Sequence, residues 1–418
     1  LTLAGSLTVA AQSGPPPTPP PPPPNPAQLL LPTSVTDANK DQVAWDLFIN
    51  AVVSAGIPNV QAAYFETWAD DAESFAVNPT WPTLQNGRLP AKKLQPSLLR
   101  SALIGTHGVR GVLPQVPSPG TGGCVAPNGP PDFAFPTNGC IGEEVRRNWP
   151  SFWFIAHVYQ TGMNTQAHMA TLYQYITKYG SQYALQFPAN AVDVKADWIP
   201  VQYLMTWLNT VTGQTWTTQQ IEQNYYTNID NASNPPIEYA LVAFHVASKL
   251  TPNWVWATFE HQLNPGRCDT MGCLDAFGAQ QAAVSPNLTA ANTEYGTCAK
   301  TQALSTLMSQ QQLAPQWSNY CLKATQINFT NPPSRISPIL NGNSVTERIN
   351  AGVPIEQASC ITCHAYASFL SNGSANKQGL ANNLIGAVNT SLLANSQQSD
   401  FMWGILGAPA GGGGARTK

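Results

Sequence analysis

Charge is what this chain has least of. Charged residues make up 10% of its 418 positions, against roughly a quarter in typical soluble domains. Lys and Arg gather nowhere into a run, and the formal net charge is -3. Nucleic acid is therefore set aside as a partner, because neutralising phosphates needs clustered cations. Long apolar runs are missing as well. No interior stretch approaches about 18 residues, so no membrane span is expected. There is no internal repeat.

What is present is ample apolar material. Hydrophobic residues account for 43% of the chain, enough to bury a sizeable core in one large domain or two ordinary ones. Gln, Asn, Ser and Thr carry most of the solubility. The first residues, "LTLAGSLTVAAQS", run apolar and then small, like the end of an export signal with its cleavage site. Residues 1–13 are read as the remnant of such a signal. "GPPPTPPPPPPNPAQ" follows, and proline's fixed φ and missing N–H make polyproline II its conformation. Residues 14–32 are read as a stiff spacer.

Eight cysteines are present. Two belong to a motif considered below. The other six permit fifteen pairings, and neighbours in sequence suggest Cys124–Cys140, Cys268–Cys273 and Cys298–Cys321. Paired cysteines behind an export signal point to an oxidising compartment, periplasmic or extracellular.

Helix signals appear in "DANKDQVAWDLFINAVVSAG", with Val43, Leu47 and Val52 near one face and Gly56 as a stop. They return in "NWPSFWFIAHVYQTG", where Asn148 can cap, Pro150 suits the first turn and Gly162 can end the helix. "NTQAHMATLYQYITKYG" repeats the arrangement, with Asn164 as cap and Gly180 as stop. "VDVKADWIPVQYL", "IEYALVAFHVAS" and "NWVWATFEHQ" are rich in β-branched and aromatic residues and read as strands of one mainly antiparallel sheet. Residues 57–140 are expected to be mostly irregular, and the last third to be loops with short helices. The fold class predicted is α+β, with a body over 33–350, a cofactor-binding segment over 351–406 and a flexible tail over 407–418.

The sharpest chemical signal is "QASCITCHAYASF". Cys360, Cys363 and His364 form C-x-x-C-H, the spacing of covalent haem c attachment. Two thiols so spaced reach two vinyl groups on one edge of the ring, and His364 then meets the iron as proximal ligand. A redox dithiol would need a βαβ setting, which is not evident. A zinc site would need a second ligand pair, for which the sequence offers only Cys268 and Cys273. The motif falls late in the chain, so the ring is expected to pack on the body before it.

For the opposite axial position the sequence offers several residues. Met402 is the only methionine after the motif, and ordinary apolar packing beside Phe401 and Trp403 is the favoured explanation for it. His107 lies between glycines. His157 and His168 fall in helical runs and suit packing or surface roles. His245 interrupts the apolar strand "LVAFHVAS", and His261 stands beside Glu260 at the end of "VWATFEHQ". A buried imidazole needs a partner, which makes His261 the first candidate for distal ligand and His245 the second. Glu143, Arg146, Asn148, Lys195, His245, Glu260 and His261 are polar residues set among aromatic segments. The expectation is that they converge on haem propionates or a distal pocket, with Arg146 and Lys195 pairing the carboxylates. The alternative is a set of structural ion pairs and caps.

In order along the chain, "AWDLFINAV", "GEEVRRN", "VDVKADW", "LVAFHVASK…NWVWATFEHQLN", "SCITCHAYAS" and "SDFMWG" resemble segments of a group of bacterial c-type cytochrome proteins. The resemblance covers most of residues 42–403. It implies an exported monohaem protein and gives no substrate. Where Met402 stands, the group often has an apolar residue. The combined expectation is a periplasmic or secreted cytochrome carrying one covalent haem c and passing electrons to a redox partner protein or a small-molecule donor or acceptor. A haem c peroxidase or oxygenase-like enzyme, and a haem-bearing component of an extracellular assembly, are the alternatives.

Overall fold

A computed structural model describes residues 29–58, 60–83, 142–230, 235–264, 266–287, 293–331, 340–344, 358–381 and 385–411. The expected Cys124–Cys140 pairing, His107, the export-signal remnant and most of the spacer and tail lie outside them.

The α+β class is the one observed. The main sheet is wholly antiparallel and contains β1 (Ala69–Asp70), β2 (Gly142–Arg147), β3 (Val192–Pro200), β4 (Thr227–Asp230), β5 (Ile237–Ser248), β6 (Val255–His261) and β9 (Tyr320–Gln326). The strand order is β1-β2-β3-β5-β6-β9, with β4 also on β5. Two small hairpin sheets, β7 (Cys273–Leu274) with β8 (Ala283–Val284) and β10 (Ser368–Leu370) with β11 (Ser396–Gln398), stand apart.

One face of the main sheet is covered by α1 (Lys40–Val52). From Val43 to Val52 every residue of this helix is buried. The sheet packs on one side of it, and Phe277, Leu304, Met308 and Trp317 pack around it in the same cluster. Phe48 sits at the centre, within 4.4–6.3 Å ring-to-ring of Phe244, Phe259, Trp45, Trp317 and Tyr320. Truncating such a residue to Ala costs about 3–5 kcal/mol. Two polar groups of α1 bond to its covering loop: Asp41 Oδ2 accepts from Ala276 N–H, and Trp45 Nε1 donates to Asp275 at 2.9 Å.

The opposite face carries α3 (Trp149–His157) and α4 (Gln166–Tyr179), numbered after the single-turn α2 (Asp71–Ser74). Asn148 caps α3 as expected, accepting from Ser151 N–H. The cap of α4 is Thr165 and not Asn164; Asn164 instead donates to Ala76 O and meets His168 Nδ1. Gly180 ends α4 with φ 100°. The strand expected to run on through Val201–Leu204 stops at Pro200. There α5 (Val201–Thr212) begins, and with α6 (Thr218–Asn224) it packs on the far half of β5. In the last third, expected to be mostly loops with short helices, β9 is a fully buried strand, preceded by α7 (Gln302–Gln310). The expected Cys268–Cys273 and Cys298–Cys321 disulfides are present. No helix of the described residues is long and apolar enough to cross a membrane.

Candidate functional site

The motif folds into α8 (Cys360–Ala365). Positions i, i+3 and i+4 of a helix share one face, so Cys360, Cys363 and His364 present together. Thr362 points elsewhere and donates to Gly386 O at 2.7 Å. Ile361 is fully buried in the apolar cluster under the helix. Neither motif cysteine is in a disulfide.

All three motif residues line one cleft, which encloses about 1190 Å³ of space outside protein atoms, its open mouth included. Two transverse rows of the sheet form its floor. Strand registry places Val145, Lys195, His245 and Thr258 side by side in the first row. In the second stand Arg147, Asp193, Ala247 and Trp256. Each row leads to the motif. Thr258 Oγ1 lies 2.9 Å from His245 Nδ1 and 4.0 Å from Cys360 Sγ. The Trp256 ring packs on the His364 imidazole at 4.5 Å.

The far wall is the segment Phe401–Leu406. It and the residues just before it are held to α8 and the two residues after it by a series of hydrogen bonds. Ser399 N–H donates to Ala367 O, Gln398 Nε2 to Ala365 O and Trp403 Nε1 to Cys363 O. His364 Nδ1 lies 2.9 Å from Phe401 O. A carbonyl only accepts, so Nδ1 carries the proton and Nε2 is left with the lone pair. Burial pushes the His364 pKa down to about 4, so the ring is neutral near pH 7.

Charge on the floor is paired. Lys195 lies 3.5 Å from Glu143, at the more exposed end. Arg147 is buried, 2.6 Å from Asp71 and 3.7 Å from Asp193. Its Nη2 also donates to Met402 Sδ at 3.6 Å, and its guanidinium lies over Phe75. Gly404 permits this packing: a Cβ there would stand 2.5 Å from Arg147 Nη2. Burial raises Asp193 to about 6, opposed by Arg147. Burial drives His245 well below its ordinary value, helped by the positive charge of Lys195.

The structure thus brings together Cys360, Cys363, His364, His245, Lys195, Glu143 and Met402. It does not bring His261, Arg146, Asn148 or Glu260 to the cleft. His261, the first choice for distal ligand, is fully buried at the far end of β6. It stacks on Tyr225 at 3.6 Å. Both its nitrogens are engaged by backbone, Nε2 with Asn224 O and Nδ1 with Leu263 N–H, so no lone pair remains for a metal. Arg146 points through the opposite face of the sheet, where it binds Glu144 and Trp68 O. Glu260 pairs with Lys323, and Asn148 caps α3. Arg147, Asp71 and Asp193 were missed. The signal for Arg147 was strand parity: once "GEEVRR" is a strand, Glu143, Val145 and Arg147 share a face, and Arg146 does not.

The fit to a covalent haem rests on the donor set and the walls. Two cysteines and a neutral imidazole whose Nε2 keeps its lone pair line the same space. Trp254, Trp256, Phe401 and Trp403 supply flat apolar sides, and Lys195 and Arg147 are cations in reach of the floor. Among the described residues, no group of three or more His, Cys, Asp or Glu side chains is arranged to hold a metal ion alone. The second ligand pair a zinc site would need is closed, since Cys268 and Cys273 are bonded to each other. Compared with protein-family models, with curated proteins and with solved structures, the chain matches none.

Proposed function

We propose that the chain is an exported monohaem c-type cytochrome that transfers electrons, with haem joined through Cys360 and Cys363 and with His364 as proximal ligand. The observation that carries this reading is the His364 hydrogen bond to Phe401 O. It fixes the tautomer and the ring orientation in the way metal-ligating histidines are held by a partner on their other nitrogen. When bound, the group supplies one-electron redox chemistry at its iron. The chain's part would be to hold the imidazole against the Trp256 ring and the Phe401 carbonyl, and to offer a largely apolar cleft walled by the 401–406 segment. Two disulfides support an oxidising compartment, periplasmic or extracellular.

The test is denaturation of the purified mature protein in acid, extraction with organic solvent and intact mass measurement. Pigment that stays with a chain heavier by one haem supports the reading. Pigment that washes away, or a bare chain mass, overturns it.

The cleft itself favours one second reading. A neutral His245 beside the Lys195 cation is an arrangement suited to acid–base work on a small oxygen ligand. A six-coordinate low-spin spectrum unmoved by carbon monoxide or peroxide supports the carrier. A high-spin spectrum that responds to both supports a peroxidase-like enzyme.

A further inference from the structure

Phe401 presents its carbonyl to His364 from an unusual backbone. Met402 N–H donates to Ser399 O, closing a four-residue turn. Its two central residues, Asp400 and Phe401, have φ values of 49° and 72°. Positive φ at both central positions is the type I′ turn, which usually takes Asn and Gly. Phe at the second position is disfavoured, so something outside the turn must hold it.

That support is a buried carboxylate. Asp400 Oδ2 accepts from Phe187 N–H at 2.7 Å, and Oδ1 accepts from Lys249 Nζ at 2.6 Å. Asp400 and Lys249 are 5% and 6% exposed. Lys249 also donates to Pro252 O and lies over the Trp254 ring. It thereby sits in the loop that joins β5 to β6, and β6 carries Trp256, the ring packed on His364. Two contacts set the His364 ring: the Trp256 ring and the Phe401 carbonyl. The Asp400–Lys249 pair ties both to one hairpin.

We infer that the Asp400–Lys249 pair is a positioning device for His364, holding the turn whose Phe401 carbonyl orients the imidazole and sets how strongly Nδ1–H is bound. This rests on the reading of the cleft as a haem site. A stronger Nδ1–H bond makes the ring a more basic ligand and favours the oxidised iron; weakening it raises the reduction potential. Asp400 and Lys249 touch neither iron nor ring and act only through the turn.

The experiment uses the full chain as purified. Asp400→Asn and Lys249→Met are compared with wild type, with Lys249→Arg as the conservative variant and Glu260→Gln as a buried ion-pair control away from the cleft. Two quantities are read: the midpoint potential, and the ¹⁵N chemical shifts of the His364 ring in the reduced protein. Asp400→Asn and Lys249→Met are expected to raise the potential and to move the Nδ1 signal towards that of an Nδ1–H without a strong acceptor. Lys249→Arg should stay near wild type, and Glu260→Gln should lower thermal stability while leaving both quantities in place. Should Asp400→Asn not fold, Lys249→Met alone decides. Unchanged potential and ring signals in the decisive variant overturn the inference, as does an equal movement in Glu260→Gln. If extraction shows no covalent haem, the functional reading fails, and the His364 ring signals of the pigment-free chain still test the positioning.

Discussion

At the scale of single residues, the three histidines near the sheet divide by what their nitrogens do. His364 spends Nδ1 on a carbonyl and keeps Nε2 for the cleft. His245 meets Thr258 on the cleft floor. His261 has both nitrogens bound to backbone. In the haem-loaded protein, His261→Ala is therefore expected to leave the absorption spectrum unchanged. His245→Gln is expected to alter the ligand-field bands, and Met402→Leu to leave them, because the Met402 sulfur is already held by Arg147. A spectrum that follows Met402 and ignores His245 would reverse this assignment. His261 has a stability role with a definite sign. Burial lowers its pKa from 6.5 to about 3 in the folded chain. Between those values the unfolded chain takes up a proton that the folded chain refuses. The stabilisation is full above pH 6.5 and drains away as pH falls towards 3. Relative to His261→Gln, the wild type should lose about 1.4 kcal/mol per pH unit across that window. Denaturant titrations of both proteins at several pH values measure the slope, and parallel curves would contradict it.

At the scale of elements, polar residues in buried strands decide what was legible. The strand segments over β3, β5 and β6 stand out in sequence because β-branched and aromatic residues crowd them. In contrast, β9 reads "YCLKATQ" and hides, because a lysine in its middle looks like solvent exposure. That lysine is 2% exposed, and its Nζ lies 2.9 Å from Glu260 Oε1 on the neighbouring strand. A strand made possible by a cross-strand charge partner is invisible until the partner is known. Lys323→Met alone should cost about 3–5 kcal/mol, since it leaves Glu260 buried without its cation. Adding Glu260→Gln should recover part of that loss, as a double-mutant cycle in urea would show. The start of α5 was misread for a different reason. "VQYL" continues the apolar run of β3, and only Pro200 marks the change from strand to helix. Helix starts with a side-chain cap were easier. Asn148 was placed correctly, and it does more than cap α3. Its side chain also accepts from Val192 N–H and donates to Asn190 O. Asn148→Ala should therefore sit near the upper end of the usual range for a lost cap, about 2 kcal/mol by thermal or urea unfolding.

At the scale of the whole molecule, the sheet's two faces do different work, and strand parity assigns the residues between them. One face packs on α1 through a large apolar cluster and also holds the buried Arg146–Glu144 pair. The other holds the cleft floor, and α8 reaches it with the 399–406 segment clasped around its end. The motif residues were legible as a group because a local spacing of three and four puts them on one face of a short helix. The floor residues Arg147, Asp71 and Asp193 were not, because they meet only through registry across strands and a distant single-turn helix. The shortage of charge has a consequence at this scale too. Among the described residues, four ion pairs are wholly or largely withdrawn from solvent: Arg146 with Glu144, Arg147 with the half-buried Asp71, Lys249 with Asp400 and Lys323 with Glu260. Buried pairs are screened little by salt, and they project little field to solvent. A protein so built has weak means of steering a charged partner over long distances. If the chain is the electron carrier proposed, its electron exchange with small anionic and cationic redox reagents is expected to show shallow, similar dependence on ionic strength from about 0.01 to 0.5 M, across which the Debye length shrinks from about 30 Å to a few ångströms. Stopped-flow rates over that range test this. A steep slope of opposite sign for the two reagents would instead reveal a strongly charged docking face around the cleft mouth.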